Sequence, residues 1–485
     1  MWRRPLVKKN KARARAWLYG SGIGVVLAAC ALLVVARSAR PVRIDVSWQR
    51  PVSEYEAMPE IALLQDYIHI DTSASGSEVP GAQFLARALA AAGIDAHIER
   101  IGTRHANLWA VIEGEDPRAL VLHSHIDVDP IARPESWNHD PFGAVILPPW
   151  LIGRGAFDMK SVAIAQLMAM RALAESGRQP RRSVVFLATG DEETGSRFGL
   201  SWFMRAHPEL VARFETALTE GGVVEAVTTD RVKYWGLEFA QKRYIKIEAC
   251  HASRARLQAM YSDLKNLDRA SLRRFLSPQV RRFLAVYGPT REQPEFARRL
   301  ADPEGLLTDA RFAELPLYLQ LMVRGDVVPL TLEKDPESSG FRLSILVAIM
   351  PGDDLDRALA EMLPAWITHG VALHIDTSAP EAVESPLDQH DAKAILPFMR
   401  RDVPNTVHGP MVIPTARTDA RILRHYGIAA YGFSPFLILS TDTLQMKGPN
   451  ERMALPAYID GVRRYVDLVR TLVLNQKPVA RDPGN

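Results

Sequence analysis

The sequence predicts an α/β fold: a three-layer α/β/α domain, interrupted by a smaller inserted α+β domain and preceded by one N-terminal transmembrane helix. Three observations carry this. Between Val121 and Gly195, two apolar runs at 119–122 and 183–188 flank a helix-like stretch at 162–174, and strand, crossover helix, strand is the order that builds a parallel sheet. From about Trp235 the pattern changes to half-exposed strands and amphipathic helices, and the sheet pattern resumes after residue 373. Ahead of both, residues 17–36 form an uncharged apolar run long enough to cross a bilayer.

That run follows Arg3, Arg4, Lys8, Lys9, Lys11, Arg13 and Arg15, with no acidic residue among them. Such flanking charge keeps the N-terminus cytoplasmic and places the rest outside, in the periplasm if the source is bacterial. A cleaved signal peptide is the competing reading. The formal net charge of +3 is concentrated in this segment, so the remainder is slightly acidic and a nucleic-acid partner is excluded. The two cysteines, Cys30 and Cys250, would lie apart across a membrane, which excludes an intrachain disulfide framework. The expected organisation is a basic cytoplasmic segment 1–16, the anchor 17–36, a linker 37–54, the main domain 55–235, the insertion 236–373, the second part of the main domain 374–475, and a tail 476–485.

In chain order, residues 41–58 read as an extended approach. Helices are expected at 59–74, with Pro59 in the first turn, and at 82–92, followed by a strand at 106–112 and a turn at Gly114-Glu115-Asp116-Pro117. A helix at 198–206 and a strand at 214–219 lead to Glu220-Gly221-Gly222, where the glycines permit turns that a bulky residue would obstruct. The insertion is expected to contain a strand at 239–249, helices at 255–267 and 280–287, a strand at 341–350 closed by Pro351-Gly352, and a helix at 355–366. A strand at 408–414 then resumes the main sheet. Ile459, Val462, Val466, Val469 and Val473 mark the buried face of a closing helix.

The polar clusters follow the apolar runs, where parallel sheets place their chemistry. His125, Asp158, Glu192, Glu193 and Glu220 are all able to bind metal. Any one of them is compatible with a solvated loop; their joint placement is not a comfortable coincidence. Two adjacent carboxylates cannot both be buried and charged without a cation. A divalent metal resolves this, with one of Glu192 and Glu193 as ligand and the other as general base. Asp127, two residues from His125, is placed to orient the imidazole.

The motifs H-x-D at 125–127, G-R-G-A-x-D-M-K at 153–160, D-E-E-T-G-S at 191–196, E-G-G at 220–222 and T-D-A-R at 418–421 resemble the aminoacylase/carboxypeptidase family of co-catalytic zinc peptidases. The nearest branch is that of carboxypeptidase S and the N-fatty-acyl-amino-acid hydrolases. The resemblance spans about residues 55–475 and implies a zinc-binding α/β domain interrupted by a domain that often mediates homodimerisation. It implies that His125 and Glu220 hold one zinc, that Asp158 bridges, and that Glu193 helps hold a second. It also implies Glu192 as general base, Asp127 as support for His125, and Arg421 and His251 as substrate-binding residues. The expected activity is hydrolysis of the amide bond in N-acyl-amino acids or small peptides.

The sequence departs from that pattern at the last zinc ligand. A family histidine is replaced by Lys447 in Lys447-Gly448-Pro449-Asn450-Glu451, and an ammonium has no lone pair to offer a metal. The expectation is one zinc, in a mononuclear or weakly dinuclear centre, with Lys447 paired to Glu193 or Asp158. In the insertion, the glycine-rich turn is reduced to Cys250-His251-Ala252-Ser253, the asparagine-containing segment has Gly325-Asp326-Val327-Val328-Pro329 as its nearest match, and Ala348 stands where the family places arginine. These losses support an alternative: a catalytically inactive member acting as a binding or scaffold protein.

Overall fold

The computed structural model describes residues 50–228, 231–336, 338–381, 383–403, 406–443 and 445–474. Its centre is a nine-stranded sheet in the order Ala96–Ile101, His105–Ile112, Arg182–Thr189, Asp116–His125, Phe214–Thr219, Ala429–Gly432, Arg231–Gln241 and His408–Ile413, with Val223–Thr228 paired to Arg231–Gln241. Asp116–His125 is parallel to both neighbours, so that Val121 stands opposite Val185 on one side and Ala217 on the other.

Side-chain alternation explains the layers. Leu120, Leu122, Val184 and Phe186 point into a core shared with helices Pro59–Ile68, Val79–Ala90, Lys160–Glu175 and Leu455–Val473. Ala119, Val121, Val185 and Leu187 point the other way, against Leu200, Phe203, Ile422 and Leu423 of helices Leu200–Ala206 and Ala420–His425. A strand covered on both faces needs apolar residues at every position, which is why these runs show no alternation in sequence.

A second, antiparallel sheet runs Asp326–Lys334, Phe341–Ile349, Arg243–His251, Ala372–Asp376. Ile245, Ile247, Ile345 and Val347 form its buried face with Leu257, Met260 and Leu264 of Arg254–Asn266 and Leu359 and Met362 of Leu355–Met362. Ser253 and Asp354 cap these two helices by accepting N–H bonds from Arg256 and Arg357. Helix Pro278–Tyr287 lies between these strands in sequence, yet its Val280, Phe283 and Leu284 pack into the larger core.

Several elements differ from expectation for local reasons. The 41–58 stretch contains a short helix, Val52–Glu56, anchored by the buried Tyr55. The next helix stops at Ile68 because Asp71 turns the chain, its Oδ1 accepting the Ser73 N–H at 2.9 Å. Leu355–Met362 ends early, ahead of Pro364, which disfavours a helical conformation at the preceding residue. The run at 239–249 is two strands in two sheets, with Phe239 in the larger core and Ile245 in the smaller.

The membrane expectation is corrected. Residues 17–36 lie outside the described residues, and among the described residues no helix is long and apolar enough to cross a membrane. The longest of the described helices, Leu455–Val473, has one apolar face and carries Asp460, Arg463, Arg464, Asp467 and Arg470 along its length. The fold is therefore described as an α/β domain with an inserted smaller domain, without the transmembrane element, and the membrane attachment and extracytoplasmic placement built on that element are withdrawn.

Lys242 sits where the chain passes between the sheets. It is 2% exposed, and its Nζ has no hydrogen-bond partner among the described residues. Burial pushes the amine down to about 7; Asp326 opposes this and Arg324 adds to it. Between that value and the ordinary lysine range, the unfolded chain binds one more proton than the folded one, so stability rises with pH across this window. The cost of burying the charge is complete below about pH 7 and is relieved as the pH rises. Lys242→Met is expected to stabilise the fold by about 1–3 kcal/mol at pH 6, with the gain shrinking towards pH 10. Urea melts of both proteins at the two pH values check this, and a pH-independent gain would contradict it.

Candidate metal centre

The predicted residues meet beyond the carboxyl ends of the parallel strands. His125 is the last residue of its strand, Asp191–Gly195 follow Arg182–Thr189, Glu220 follows Phe214–Thr219, and Asp158 lies just ahead of helix Lys160–Glu175. Local chemistry fixes each position. Asp191 has a left-handed backbone (φ 63°), and its Oδ2 accepts the Phe198 N–H at 2.9 Å, closing the turn that presents Glu192 and Glu193. Gly221 has φ 103°, and a Cβ on Gly222 would stand 2.1 Å from the Ser434 nitrogen, so both glycines after Glu220 are required.

His125 is 1% exposed. Its Nδ1 lies 2.8 Å from the Asp127 carbonyl oxygen, which can only accept, so Nδ1 carries the proton and donates. Nε2 is left facing Asp158 Oδ1 at 3.1 Å and Glu220 Oε2 at 3.7 Å. The Asp127 carboxylate is 3.6 Å from Nδ1. Its two oxygens instead accept the N–H groups of Glu192 at 3.0 Å and Glu193 at 2.9 Å. Asp127 thus ties the strand bearing the histidine to the turn bearing both glutamates.

Among the described residues, two groups of ligand-capable atoms each lie within 4.8 Å of one another: His125, Glu192 and Glu220, and His125, Asp158 and Glu193. Both depend on the same imidazole. The set is short of positive charge. Burial, then Asp158, pushes Glu220 up to about 8, and burial pushes Asp127 up to about 8. Burial alone would lower His125, but Asp158 and Glu220 outweigh it and hold the imidazole well above its ordinary value. Glu193 Oε1 is buried without a partner. The imidazole and carboxylate donors form a set that suits a divalent cation such as zinc.

Lys447 meets the cluster at Glu193 and Asp158. Its Nζ donates to Glu193 Oε2 and stands 3.4 Å from Asp158 Oδ2. Its backbone is left-handed (φ 59°), a conformation a lysine adopts only when its surroundings enforce it. Burial would lower the ammonium, but Asp158 and Glu193 reverse this and hold it well above the ordinary range.

The other two expected residues are placed differently. Arg421 is next to the centre, its Nη1 3.7 Å from Glu192 Oε1, but it donates to the Thr418 carbonyl at 2.8 Å and to Ser196 Oγ at 3.3 Å. His251 ends its strand, where its Nδ1 accepts the Ser253 N–H at 2.8 Å; no hydrogen bond or ion pair joins it to the cluster. Sequence reasoning did not single out Glu451 as a site residue. This carboxylate is fully buried, accepts the N–H groups of Phe157 at 2.9 Å and Asp158 at 3.0 Å, and pairs with Arg154 at 2.6 Å. Its only sequence signal is its place in the motif that contains Lys447.

Residues 121–471 match the profile of Peptidase family M20/M25/M40. The chain is 27% identical to Aminoacylase-1A of Rattus norvegicus over 443 residues, covering 87% of this chain and 96% of the relative. Among solved structures it resembles an M20 family metallo-carboxypeptidase from Sulfolobus solfataricus, with a TM-score of 0.64, 15% identity, and 85% of this chain and 99% of the other covered. Human carnosine dipeptidase 1 gives a TM-score of 0.57 at 14% identity, with 85% and 96% covered. The family match spans most of the sequence, including every motif from His125 to Lys447, and the chain therefore belongs to Peptidase family M20/M25/M40.

Proposed function

We propose that this protein hydrolyses the amide bond of N-acyl-amino acids or small peptides, using one zinc ion at His125, Asp158 and Glu220, with Lys447 standing in for a second ion. The observation that carries this reading is the convergence of Asp158 and Glu220 on Nε2 of His125. The family and the aminoacylase relatives support the reaction class. When bound, zinc supplies Lewis-acid polarisation of the amide carbonyl and lowers the pKa of water.

The remaining roles fall to the chain itself. Glu192, 8% exposed and fixed through its backbone by Asp127, takes a proton from the attacking water on its carboxylate and returns it to the leaving amine nitrogen. Asp127 keeps Glu192 and Glu193 in register with His125. Lys447 supplies a fixed positive charge to Glu193 and Asp158.

Metal content per chain, measured with hydrolysis of N-acetyl-methionine and a long-chain N-acyl analogue, tests the proposal. The natural sequence is expected to hold about one zinc and Lys447→His about two, with zinc-dependent amide cleavage in the former. No ion in either protein and no cleavage would favour the binding-protein alternative, which the Lys447 contacts also motivate.

A further inference from the structure

We infer that Arg417, rather than Arg421, receives the substrate's carboxylate; this rests on the amide-hydrolase reading above. Both arginines lie on the segment that follows strand His408–Ile413. They are engaged very differently. Arg421 is 11% exposed; its Nη1 donates to the Thr418 carbonyl at 2.8 Å, and its Nη2 points to the Gly195 carbonyl at 3.4 Å and Ser196 Oγ at 3.3 Å. Its Nη1 is also 3.7 Å from Glu192 and 3.8 Å from Asp419. A two-pronged grip on a carboxylate needs two parallel N–H groups from one guanidinium. In Arg421 three of the five N–H donors are engaged, one from Nη1 with its own segment and two from Nη2 with the Gly195–Ser196 turn, so its paired terminal edge is partly occupied.

Arg417 is exposed and makes no hydrogen bond or ion pair among the described residues. Its guanidinium carbon lies 6.0 Å from the centre of the Tyr244 ring, and Tyr244 is tethered to the same segment through its hydroxyl, which donates to the Pro414 carbonyl at 3.4 Å. At this distance the ring attracts the charge without occupying any of the guanidinium's N–H donors. Tyr244 belongs to the small sheet, so Arg417 stands where the two sheets meet. The next residue, Thr418, packs against Gly221, its methyl 3.4 Å from where a Cβ there would stand, and Arg421, four residues on, is 3.7 Å from Glu192 Oε1, so the segment that carries Arg417 borders the proposed reaction centre. Across the strand pair, Tyr244 faces Ala348, which carries no charge that could do the same work. A guanidinium with no hydrogen-bond partner among the described residues, near an aromatic ring and on a segment that borders the acidic centre, is suited to an anionic group attached to the scissile amide. In an N-acyl-amino acid that group is the α-carboxylate.

Calorimetric titration of N-acetyl-methionine and of its carboxamide, N-acetyl-methioninamide, into the natural protein, Arg417→Ala and Arg417→Lys tests this. The acid is expected to bind the natural protein about tenfold or more tightly than the amide, the return on a charge-assisted bidentate contact. That ratio is expected to fall to about one in R417A and to an intermediate value in R417K. In steady-state kinetics the KM of R417A for the acid rises by the same factor, with a smaller change in kcat. A ratio near one in the natural protein, or a ratio that survives in R417A, overturns the inference. The two readings fail separately. Carboxylate-dependent binding lost in R417A without any hydrolysis sinks the hydrolase reading alone, whereas hydrolysis with an unchanged ratio in R417A sinks only the role of Arg417.

Discussion

Glu192→Gln is expected to lower kcat by about 10²–10⁴, the usual worth of a positioned proton carrier, while leaving KM and zinc content close to those of the natural protein. Glutamine has the same shape and fills the same 8%-exposed site. Its backbone N–H still donates to Asp127 Oδ1, so the turn is retained. What is lost is a carboxylate that can accept a proton and hand it back. The metal measurement decides between two roles, because Glu192 also falls within a ligand-capable group with His125 and Glu220. If zinc content falls together with activity, Glu192 is a ligand; if activity alone falls, it is the proton carrier. Full activity in the variant would remove it from both roles.

The parts of the fold legible in the sequence were those set by local pattern. The continuous apolar runs before His125 and Asp191 are buried on both faces, and no other arrangement suits them. The glycines after Glu220 announced a tight turn, and φ 103° at Gly221 is its cause. What could not be read depends on contacts distant in sequence. Nothing in the letters F-A-Q-K-R-Y-I-K-I shows that the chain leaves one sheet at Gln241 and enters another at Arg243. An apolar strand looks the same whichever core receives it. At the centre, the residue types were visible but their atoms were not. That the Asp127 carbonyl approaches His125 Nδ1 at 2.8 Å while its carboxylate is used by Glu192 and Glu193 depends on how two loops meet. Arg421 and Arg417 are likewise alike in sequence, and only burial and bonding separate them. A pairing of Lys447 with Glu193 or Asp158 was an expectation from the sequence. The contact of Lys447 with both Glu193 and Asp158, rather than one of them, was not.

Lys447→Met is expected to destabilise the zinc-free protein by about 3 kcal/mol, near the lower end for breaking a buried charge pair because Lys447 is itself 32% exposed. The carboxylates account for the size of the effect. Glu193 and Asp158 have side chains only 7% and 8% exposed, and burial already pushes Glu193 well up, with Lys447 the first influence opposing it. Asp158 is held below the usual carboxylate range because Lys447 and His125 outweigh its burial. Methionine keeps much of the lysine's volume and removes the charge, so packing changes little while the two acids are left facing each other. Added zinc should then restore more stability to K447M than to the natural protein, because an ion that binds only the folded state stabilises it by mass action and the vacated carboxylates offer it a further place. Urea melts with chelator and with zinc measure both effects. Equal stability of the two zinc-free proteins would mean that Glu193 and Asp158 do not depend on the lysine, and the idea of an internal cation in place of a second metal would fall with it.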